Sequence, residues 1–277
     1  MKVAIQGEVG SFSDEATLRL LGHECDIAGF QHFEEVFRAV GQGDVDAAVV
    51  PLENTLTGSI HRNYDLLRRH RLRIHRELYL PIVHNLIVLP GVRFEDLKSV
   101  ISHPVALGQC ERFLERYPDL QSRATYDTSG SVKEVVANGW KDHGAIAGKR
   151  AAEVFGGEIL LEAIQDSDDN YTRFVLLSRE RGEQDGDKTS IVFSHQNLAG
   201  ALFKSLSVFA LRDIDLTKIE SRPFPGKAWR YLFYIDFLGS LKEERVQRAL
   251  GHLQELTDLF EILGCYPRDP SIAEKGI

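Results

Sequence analysis

The run Asp169-Asn170-Tyr171-Thr172-Arg173-Phe174 leads directly into the apolar triplet Val175-Leu176-Leu177. The triplet predicts a half-buried strand, and the run before it sets an amide, a hydroxyl and a guanidinium against that strand. Polar groups beside a buried strand cost free energy unless they find partners, so the cluster is either bonded internally or aimed at a ligand. Taken alone, a structural ion pair or a strand-end cap explains it equally well.

The composition restricts the classes of partner. The chain has 277 residues, which favours two domains at about 150 residues each, and it carries a net charge of −8. An acidic chain has no electrostatic footprint for nucleic acid or an anionic membrane, so an anionic ligand would need local donors. Three widely spaced cysteines, Cys25, Cys110 and Cys265, predict neither a disulfide framework nor a metal site, and they fit the cytoplasm.

No membrane helix is expected. The most apolar stretch runs from Leu78 to Val92, but Pro81, His84, Asn85 and Pro90 interrupt it. A membrane-spanning helix needs about 20 consecutive apolar residues, and this stretch is shorter.

Strands and helices alternate through the first part of the chain, which predicts a sheet flanked by helices over residues 1–180. A run without apolar residues then predicts a linker at 181–187. Residues 188–268 follow the order βαββαβ, which indicates a small ferredoxin-like domain, and 269–277 form a tail.

Helix starts are also predicted. Ser13 is expected to cap the first helix, and Pro104 lies where a first helical turn tolerates proline. Two capping boxes are expected, Ser131 with Glu134 and Ser240 with Glu243.

Four further segments place polar residues next to strands, and each also has an ordinary structural explanation. Gly7 to Ser13 is a glycine-bearing loop that favours an anion or merely caps a helix, and without a P-loop lysine it does not predict ATP binding. Pro51 to Ser59 follows an apolar strand and is a ligand-binding loop or a turn. His103 is a catalytic base or a helix cap, and Asp127 to Ser131 is a strand-end site or an Asx turn.

Together these segments resemble a known family. Gly7 to Ser13, Pro51 to Thr55, Ser102 to Cys110, Tyr126 to Ser129 and Asn170 to Phe174 are similar, in order and spacing, to the catalytic domain of prephenate dehydratase. The rest of the chain looks like the regulatory ACT domain of that family. The resemblance implies a two-lobed, periplasmic-binding-protein-like α/β catalytic domain, no cofactor, no metal, and prephenate as the substrate.

Residue roles follow from the resemblance. Thr172 would hydrogen-bond or protonate the leaving ring hydroxyl, while Asn54 and Gln109 would orient the substrate. Glu53 would tune protonation or hold a loop, and Arg173 would bind the pyruvyl carboxylate or brace the site. The residues expected to contact substrate are Ser11, Ser13, Thr55, Ser102, His103, Thr128, Ser129, Asn170 and Phe174.

The second domain carries two motifs similar to the phenylalanine-binding motifs of the family. The expected effector site comprises Asn197, Leu198, Gly200, Ala201 and Leu202, with Glu220, Ser221, Arg222 and Pro223. In the family the effector binds between two subunits, so a homodimer or a dimer of dimers is implied. Close packing at Gly200 and a strand end at Pro223 remain the structural alternative. For the whole chain, an arogenate dehydratase or a non-catalytic amino-acid sensor are the alternative functions.

Overall fold

The computed structural model describes residues 1–180, 185–196 and 198–273, without the side chains of residues 272 and 273. The N-terminal region contains, in chain order, β1 (Lys2–Gln6), α1 (Phe12–Leu21), β2 (Asp26–Phe30), α2 (Phe33–Gln42), β3 (Ala47–Asn54), β4 (Gly58–Ser59), α3 (His61–Arg69), β5 (Arg73–Pro81), β6 (Asn85–Val88), β7 (Ser99–Ser102), α4 (Pro104–Gly108), α5 (Glu111–Arg116), β8 (Gln121–Ala124), α6 (Thr128–Ala137), β9 (His143–Ala147), α7 (Lys149–Phe155), β10 (Glu158–Leu161) and β11 (Tyr171–Ser178). The C-terminal region contains β12 (Lys188–Ser194), α8 (Ala201–Ala210), β13 (Leu216–Pro223), β14 (Tyr231–Leu238), α9 (Glu244–Leu256), β15 (Leu259–Tyr266) and α10 (Pro270–Ala273).

Two sheets with flanking helices form the two predicted α/β lobes. The first sheet has the strand order β2-β1-β3-β11-β5, with β4 paired to β3. The second has the order β10-β6-β9-β7-β8. Strand β3 is buried along most of its length because it lies inside the first sheet, between β1 and β11. The chain therefore ends one central strand at Asn54 and begins another at Tyr171, and these two ends are adjacent, since Thr55 N donates to Tyr171 O at 2.9 Å.

The C-terminal region confirms the predicted ferredoxin-like order. Its four antiparallel strands lie in the order β13-β14-β12-β15, with α8 and α9 packed over a core that includes Phe193, Phe209 and Phe237. Strand β12 is buried along its length, and its residues Ile191 and Phe193 belong to the core under these helices.

The structure divides into two compact units, and each consists of two separate stretches of the chain. The first unit is 1–70 with 78–175, and the second is 71–77 with 176–277. Residues 71–77, which include the first part of β5, therefore group with the C-terminal strands. Of the predicted linker at 181–187, residues 181–184 lie outside the described residues, and the predicted domain limits remain predictions.

Two helix starts differ from the sequence prediction. Ser11, not Ser13, caps α1, because Ser11 is extended and its Oγ accepts from Asp14 N at 3.3 Å, while Ser13 is already helical. Asp127, not Ser131, caps α6, and Ser131 lies in the first turn with its Oγ donating to Asp127 O at 2.7 Å. In both cases the correct cap is an earlier polar residue of the same loop.

The other two predicted starts are closer. Pro104 occupies the first turn of α4, after the His103 cap, as predicted. Helix α9 begins at Glu244, and Glu243 Oε1 accepts from Ser240 N at 2.7 Å. That contact is the half of the predicted box that the glutamate supplies. Among the described residues, no helix has the length and apolar character needed to cross a membrane.

A buried ion pair lies within the second unit and generates a stability prediction. Lys188 Nζ lies 3.0 and 2.9 Å from the two carboxylate oxygens of Glu77, and the side chains are 5% and 1% exposed. We expect Glu77→Gln to lower the free energy of unfolding by about 3–5 kcal/mol, because it removes a carboxylate that contacts a buried ammonium through both of its oxygens. Denaturant unfolding measures the change.

The double variant Glu77→Met with Lys188→Met serves as one control, because it removes both charges and should cost less than Glu77→Gln alone. The second control is Arg248→Met, which breaks an exposed pair with Glu244 and should cost under about 1 kcal/mol. Equal effects of Glu77→Gln and Arg248→Met would show that the buried pair is not special.

Candidate active site

A cleft of about 440 Å³ lies within the first unit. It is lined by Gln6, Phe12, Ser13, Phe33, Pro51, Asn54, Thr57, Ile60, Ile82, His84, His103, Val105, Ala106, Gln109, Thr128, Thr172 and Phe174. The residues come from both lobes, with Asn54 and Thr172 on the first sheet and Gln109 at the end of α4. Seven of the residues predicted as site residues meet here.

The Asn54 side chain joins the two strand ends. Its Nδ2 lies 2.8 Å from Asn170 Oδ1, 3.0 Å from Thr172 Oγ1 and 3.1 Å from Tyr171 O. All of these are acceptors, so the amide nitrogen is the donor in each contact. Asn54 is 7% exposed, and its amide therefore fixes the position of the Thr172 hydroxyl oxygen.

The opposite end of the Asn54 amide orders the loop that follows β3. Asn54 Oδ1 accepts from Leu56 N at 3.0 Å, from Thr57 N at 2.9 Å and from Thr57 Oγ1 at 3.2 Å. Two of these donors are backbone N–H groups, so the orientation of the amide is settled by chemistry. One side chain thus forms an Asx turn and holds the neighbouring strand.

Thr172 has a hydroxyl proton free for a ligand. Its Oγ1 accepts from Asn54, and among the described residues no acceptor lies within hydrogen-bond distance of its own O–H. The side chain is 8% exposed and lines the cleft together with Phe174. An O–H whose oxygen already accepts a hydrogen bond is polarised and becomes a better donor.

Arg173 is directed away from the cleft. Side chains alternate along a strand, so Arg173 lies on the opposite face of β11 from Thr172 and Phe174. It is 2% exposed, with its Nη1 4.0 Å from Glu53 Oε2, and neither residue lines the cleft. Of the two roles expected for Arg173, the geometry supports bracing of the site rather than contact with a carboxylate.

Gln109 is held by a residue that the sequence analysis did not assign to the site. Its Oε1 lies 2.8 Å from Nε2 of His84, which is 2% exposed. Burial lowers the pKa of His84, and the hydrogen bond to Gln109 offsets part of that shift. His84 appeared in the sequence only as a polar interruption of an apolar stretch. A single histidine within an apolar stretch was the signal that the sequence offered, because a buried histidine needs a hydrogen-bond partner.

The remaining predicted residues divide into two groups. Ser13, His103, Thr128 and Phe174 line the cleft. His103 Nδ1 accepts from Val105 N at 3.2 Å, which is the capping arrangement. The other hydroxyls and the amide are engaged structurally: Ser11 caps α1, Thr55 Oγ1 donates to Asp169 O, Ser102 Oγ to Ile146 O and Ser129 Oγ to Val9 O, and Asn170 Oδ1 accepts from Asn54.

The cleft offers neutral donors to an anion. Among the described residues that line it, none is Lys, Arg, Asp or Glu. Helices α1 and α6 both begin beside it, since Phe12, Ser13 and Thr128 belong to their first turns. Unbonded N–H groups and the helix dipole make such helix starts favourable for negative charge. The arrangement suits a small anionic ligand with oxygen acceptors.

The C-terminal unit has a smaller cavity near the predicted effector site. It measures about 190 Å³, and its lining includes Leu198, Gly200, Ala201 and Leu202. Gly200 has a φ of 74°, which glycine adopts without strain. The second predicted motif, Glu220, Ser221, Arg222 and Pro223, lies on β13 and does not line this cavity. Asn197 lies outside the described residues.

Comparisons with known proteins identify the family of the chain. The family model described as prephenate dehydratase matches residues 3–182. "Arogenate dehydratase/prephenate dehydratase 1, chloroplastic" of Arabidopsis thaliana is 46% identical over 286 residues, which are 97% of this chain and 72% of that protein. Arogenate dehydratase 2 of Petunia hybrida is 45% identical, over 99% of this chain and 73% of its own length.

Solved structures show the same fold. The prephenate dehydratase of Arthrobacter aurescens in complex with L-Phe has a TM-score of 0.88 and 30% identity, over 97% of this chain and 90% of that one. A structure titled GqqA, a quorum-quenching acylase, has a TM-score of 0.89 and 30% identity, over 98% and 99%. The family resemblance and the α/β architecture are thereby confirmed. The chain belongs to the prephenate dehydratase family, and it is a carbon–oxygen lyase of aromatic amino acid biosynthesis.

Proposed function

We propose that the chain converts prephenate to phenylpyruvate, with loss of water and carbon dioxide. The observation that carries the proposal is the Thr172 hydroxyl, whose oxygen is fixed by Asn54 and whose proton has no acceptor among the described residues. It lies in a cleft with an uncharged lining. The site thus presents one aimed donor to a leaving oxygen.

The reaction breaks two bonds of the ring substituents. The bond from the ring to its carboxylate breaks and releases carbon dioxide, and its electron pair completes the aromatic ring. The ring hydroxyl leaves at the same time and takes up one proton to become water. Thr172 is a weak acid, so its contribution is a hydrogen bond to the departing oxygen, and the proton comes ultimately from solvent. Such an aimed donor is worth on the order of 10²- to 10³-fold in rate.

The uncharged lining also favours the departure of the ring carboxylate. A cation paired with that carboxylate in the ground state would stabilise the substrate more than the transition state and raise the barrier. Arg173 is the cation of the most family-like motif, and it lies on the other face of β11. Neutral donors on Ser13, Thr128 and Gln109 hold the substrate instead. The site therefore binds an anion without anchoring the group that must leave.

Arogenate is the alternative substrate, and the names of the plant relatives support it. Arogenate carries an ammonium group where prephenate has a keto oxygen. A buried ammonium is best stabilised by a carboxylate, and the described lining residues supply neutral hydroxyl and amide acceptors, with no Asp or Glu among them. The geometry therefore favours prephenate. Parallel assays for phenylpyruvate from prephenate and for phenylalanine from arogenate decide between them.

The structural similarity to a quorum-quenching acylase does not extend to an acyl-transfer site. A threonine nucleophile requires a base within hydrogen-bond reach. Among the described residues, the hydrogen-bond partner of Thr172 Oγ1 is the Asn54 amide, which is not a base. We therefore expect no hydrolysis of N-acyl amides in the same assays.

Regulation by L-phenylalanine is part of the proposal. The cavity at the start of α8 is apolar on the side of Leu202, Phe203 and Phe233, which suits an aromatic ring, and Gly200 precedes the helix start. Leu198, Phe203 and Trp229 at this cavity are exposed, which fits the expected assembly of a homodimer or a dimer of dimers. Several plant relatives are named as chloroplastic, and the cytoplasmic location of this chain stays a prediction.

Thr172→Val is expected to lower kcat by at least about 10²-fold with little change in KM, because the lost hydrogen bond forms in the transition state. Thr172→Ser keeps the hydroxyl and should stay within about tenfold of the wild type. Thr257→Val removes a hydroxyl from the C-terminal unit, where Oγ1 donates to Leu253 O, and is the control. A Thr172→Val enzyme within threefold of wild-type kcat contradicts the proposed role.

Asn54→Asp is expected to lower both stability and turnover. The aspartate keeps the acceptor for the Leu56 and Thr57 backbone but removes the amide donor from Thr172 and Asn170. Leaving buried acceptors without a donor costs about 1–3 kcal/mol in the free energy of unfolding. Asn138→Asp makes the same chemical change at an exposed helix end and should cost under about 1 kcal/mol. Similar costs at the two positions would show that the Asn54 amide is not a structural centre.

Gly200→Ala is expected to weaken L-phenylalanine binding by up to about five- to thirtyfold, because the free variant relaxes from a left-handed backbone that costs alanine about 1–2 kcal/mol, and binding must restore it. The inhibitory concentration should rise by a similar factor, since binding and inhibition are linked. Gly251→Ala lies in α9 with open space around it and should leave both unchanged. Calorimetric titration measures the affinity. Unchanged affinity in Gly200→Ala would place the effector elsewhere.

A further inference from the structure

His84 is locked in place at the edge of the cleft. Its backbone N donates to Gln165 Oε1 at 3.0 Å, and its carbonyl accepts from Ile164 N at 2.8 Å. The edge of the ring meets Phe12, with the centroids 5.6 Å apart. A side chain held by its backbone on both sides and by a neighbouring ring has little freedom to move. Among the described residues, the His84 ring makes one hydrogen bond, to Gln109, and the position of that hydrogen bond is therefore fixed.

That contact determines the tautomer of the imidazole. Nε2 lies 2.8 Å from Gln109 Oε1, and Nδ1 is buried without a hydrogen-bond partner among the described residues. An amide oxygen accepts only, so Nε2 carries the proton and donates. A proton on Nδ1 instead would leave a buried N–H without an acceptor. That costs more free energy, and is rarer in proteins, than a buried acceptor without a donor. The neutral ring is thus an Nε2–H donor with a bare Nδ1.

The same contact determines which end of Gln109 is free. The backbone of Gln109 is anchored by Val105 O, which accepts from its N–H, and by Asp166 N, which donates to its carbonyl. Since Oε1 accepts from His84, the amide NH2 is the end of the side chain that has no hydrogen-bond partner among the described residues. Gln109 lines the cleft. The glutamine is therefore presented as a donor rather than as an acceptor.

We propose that His84 is a positioning residue, whose Nε2–H fixes the Gln109 amide so that its NH2 group serves a substrate oxygen in the cleft. The inference rests on the proposed function. A freely rotating glutamine could turn its oxygen toward the cleft, where it would repel a carboxylate or a keto oxygen. His84 excludes that orientation, and in doing so it favours an oxygen acceptor over an ammonium group at this position.

The first test is a double-mutant cycle with prephenate turnover. His84→Phe keeps a planar ring without a donor, and we expect kcat/KM to fall about tenfold, the value of one lost hydrogen bond. His84→Gln restores an N–H donor and should recover most of that loss. In a Gln109→Met background, His84→Phe should change kcat/KM by less than twofold. A merely structural role predicts the same loss in both backgrounds, and that result overturns the proposal, as does full activity in His84→Phe.

The second test needs no variant that must fold. In wild-type enzyme labelled with ¹⁵N and ¹³C, the imidazole of His84, assigned through its own backbone signals, should show a protonated Nε2 and a bare Nδ1. A protonated Nδ1 overturns the proposal, because Gln109 would then donate to His84 and present its oxygen. Failure of the wild type to turn over either prephenate or arogenate would contradict the proposed function alone. The spectrum would still show whether Nε2 of His84 donates to Gln109.

Discussion

The site depends on the hydrogen bonding of the buried Asn54 amide. A buried amide must satisfy both of its ends, and here its oxygen takes two backbone N–H groups while its nitrogen faces three acceptors. That requirement allows one orientation of the side chain. It fixes the loop after β3, the start of β11 and the Thr172 oxygen together, so the hydroxyl proposed as catalytic is placed by the protein's own hydrogen bonds.

The cleft and its surroundings differ in their charged residues. None of the described lining residues is Lys, Arg, Asp or Glu, and two charged pairs lie elsewhere: Arg173 near Glu53 on the other face of β11, and Arg150 with Asp14 at the start of α1. These charges stabilise the strands and helix starts that carry the neutral donors. For a reaction in which a carboxylate departs, a scaffold of this kind can orient the substrate without holding its leaving group by an ion pair.

Much of the fold was predictable from the sequence, because hydrophobic periodicity reports burial directly. The alternating α/β region and the βαββαβ order followed from it, while the start of α4 followed from the preference of proline for a first helical turn. Helix caps were less certain: Ser11 and Ser13 are both good caps, and only the backbone geometry selects Ser11. Short or exposed strands such as β8, which is exposed along its length, leave no apolar pattern to detect.

The structure brings seven of the predicted site residues to the cleft, and the position of the others depends on tertiary structure. Thr172 and Arg173 are adjacent in sequence, yet strand alternation sends them to opposite faces, and the motif alone does not say which face is the cleft. His84 and Gln109 are 25 residues apart and come together only through tertiary folding. A polar residue in a motif can bind a ligand or hydrogen-bond to the backbone. Ser102 and Thr55 donate to backbone carbonyl groups here.

The most direct measurement is a crystal structure of the enzyme with an unreactive prephenate analogue whose ring is saturated and keeps its hydroxyl. The account predicts that the ring hydroxyl oxygen lies within about 3.0 Å of Thr172 Oγ1, while Asn54 Nδ2 still donates to that same Oγ1. An analogue bound in the cleft with its hydroxyl directed away from Thr172, or with Arg173 turned onto its ring carboxylate, would contradict the central claim.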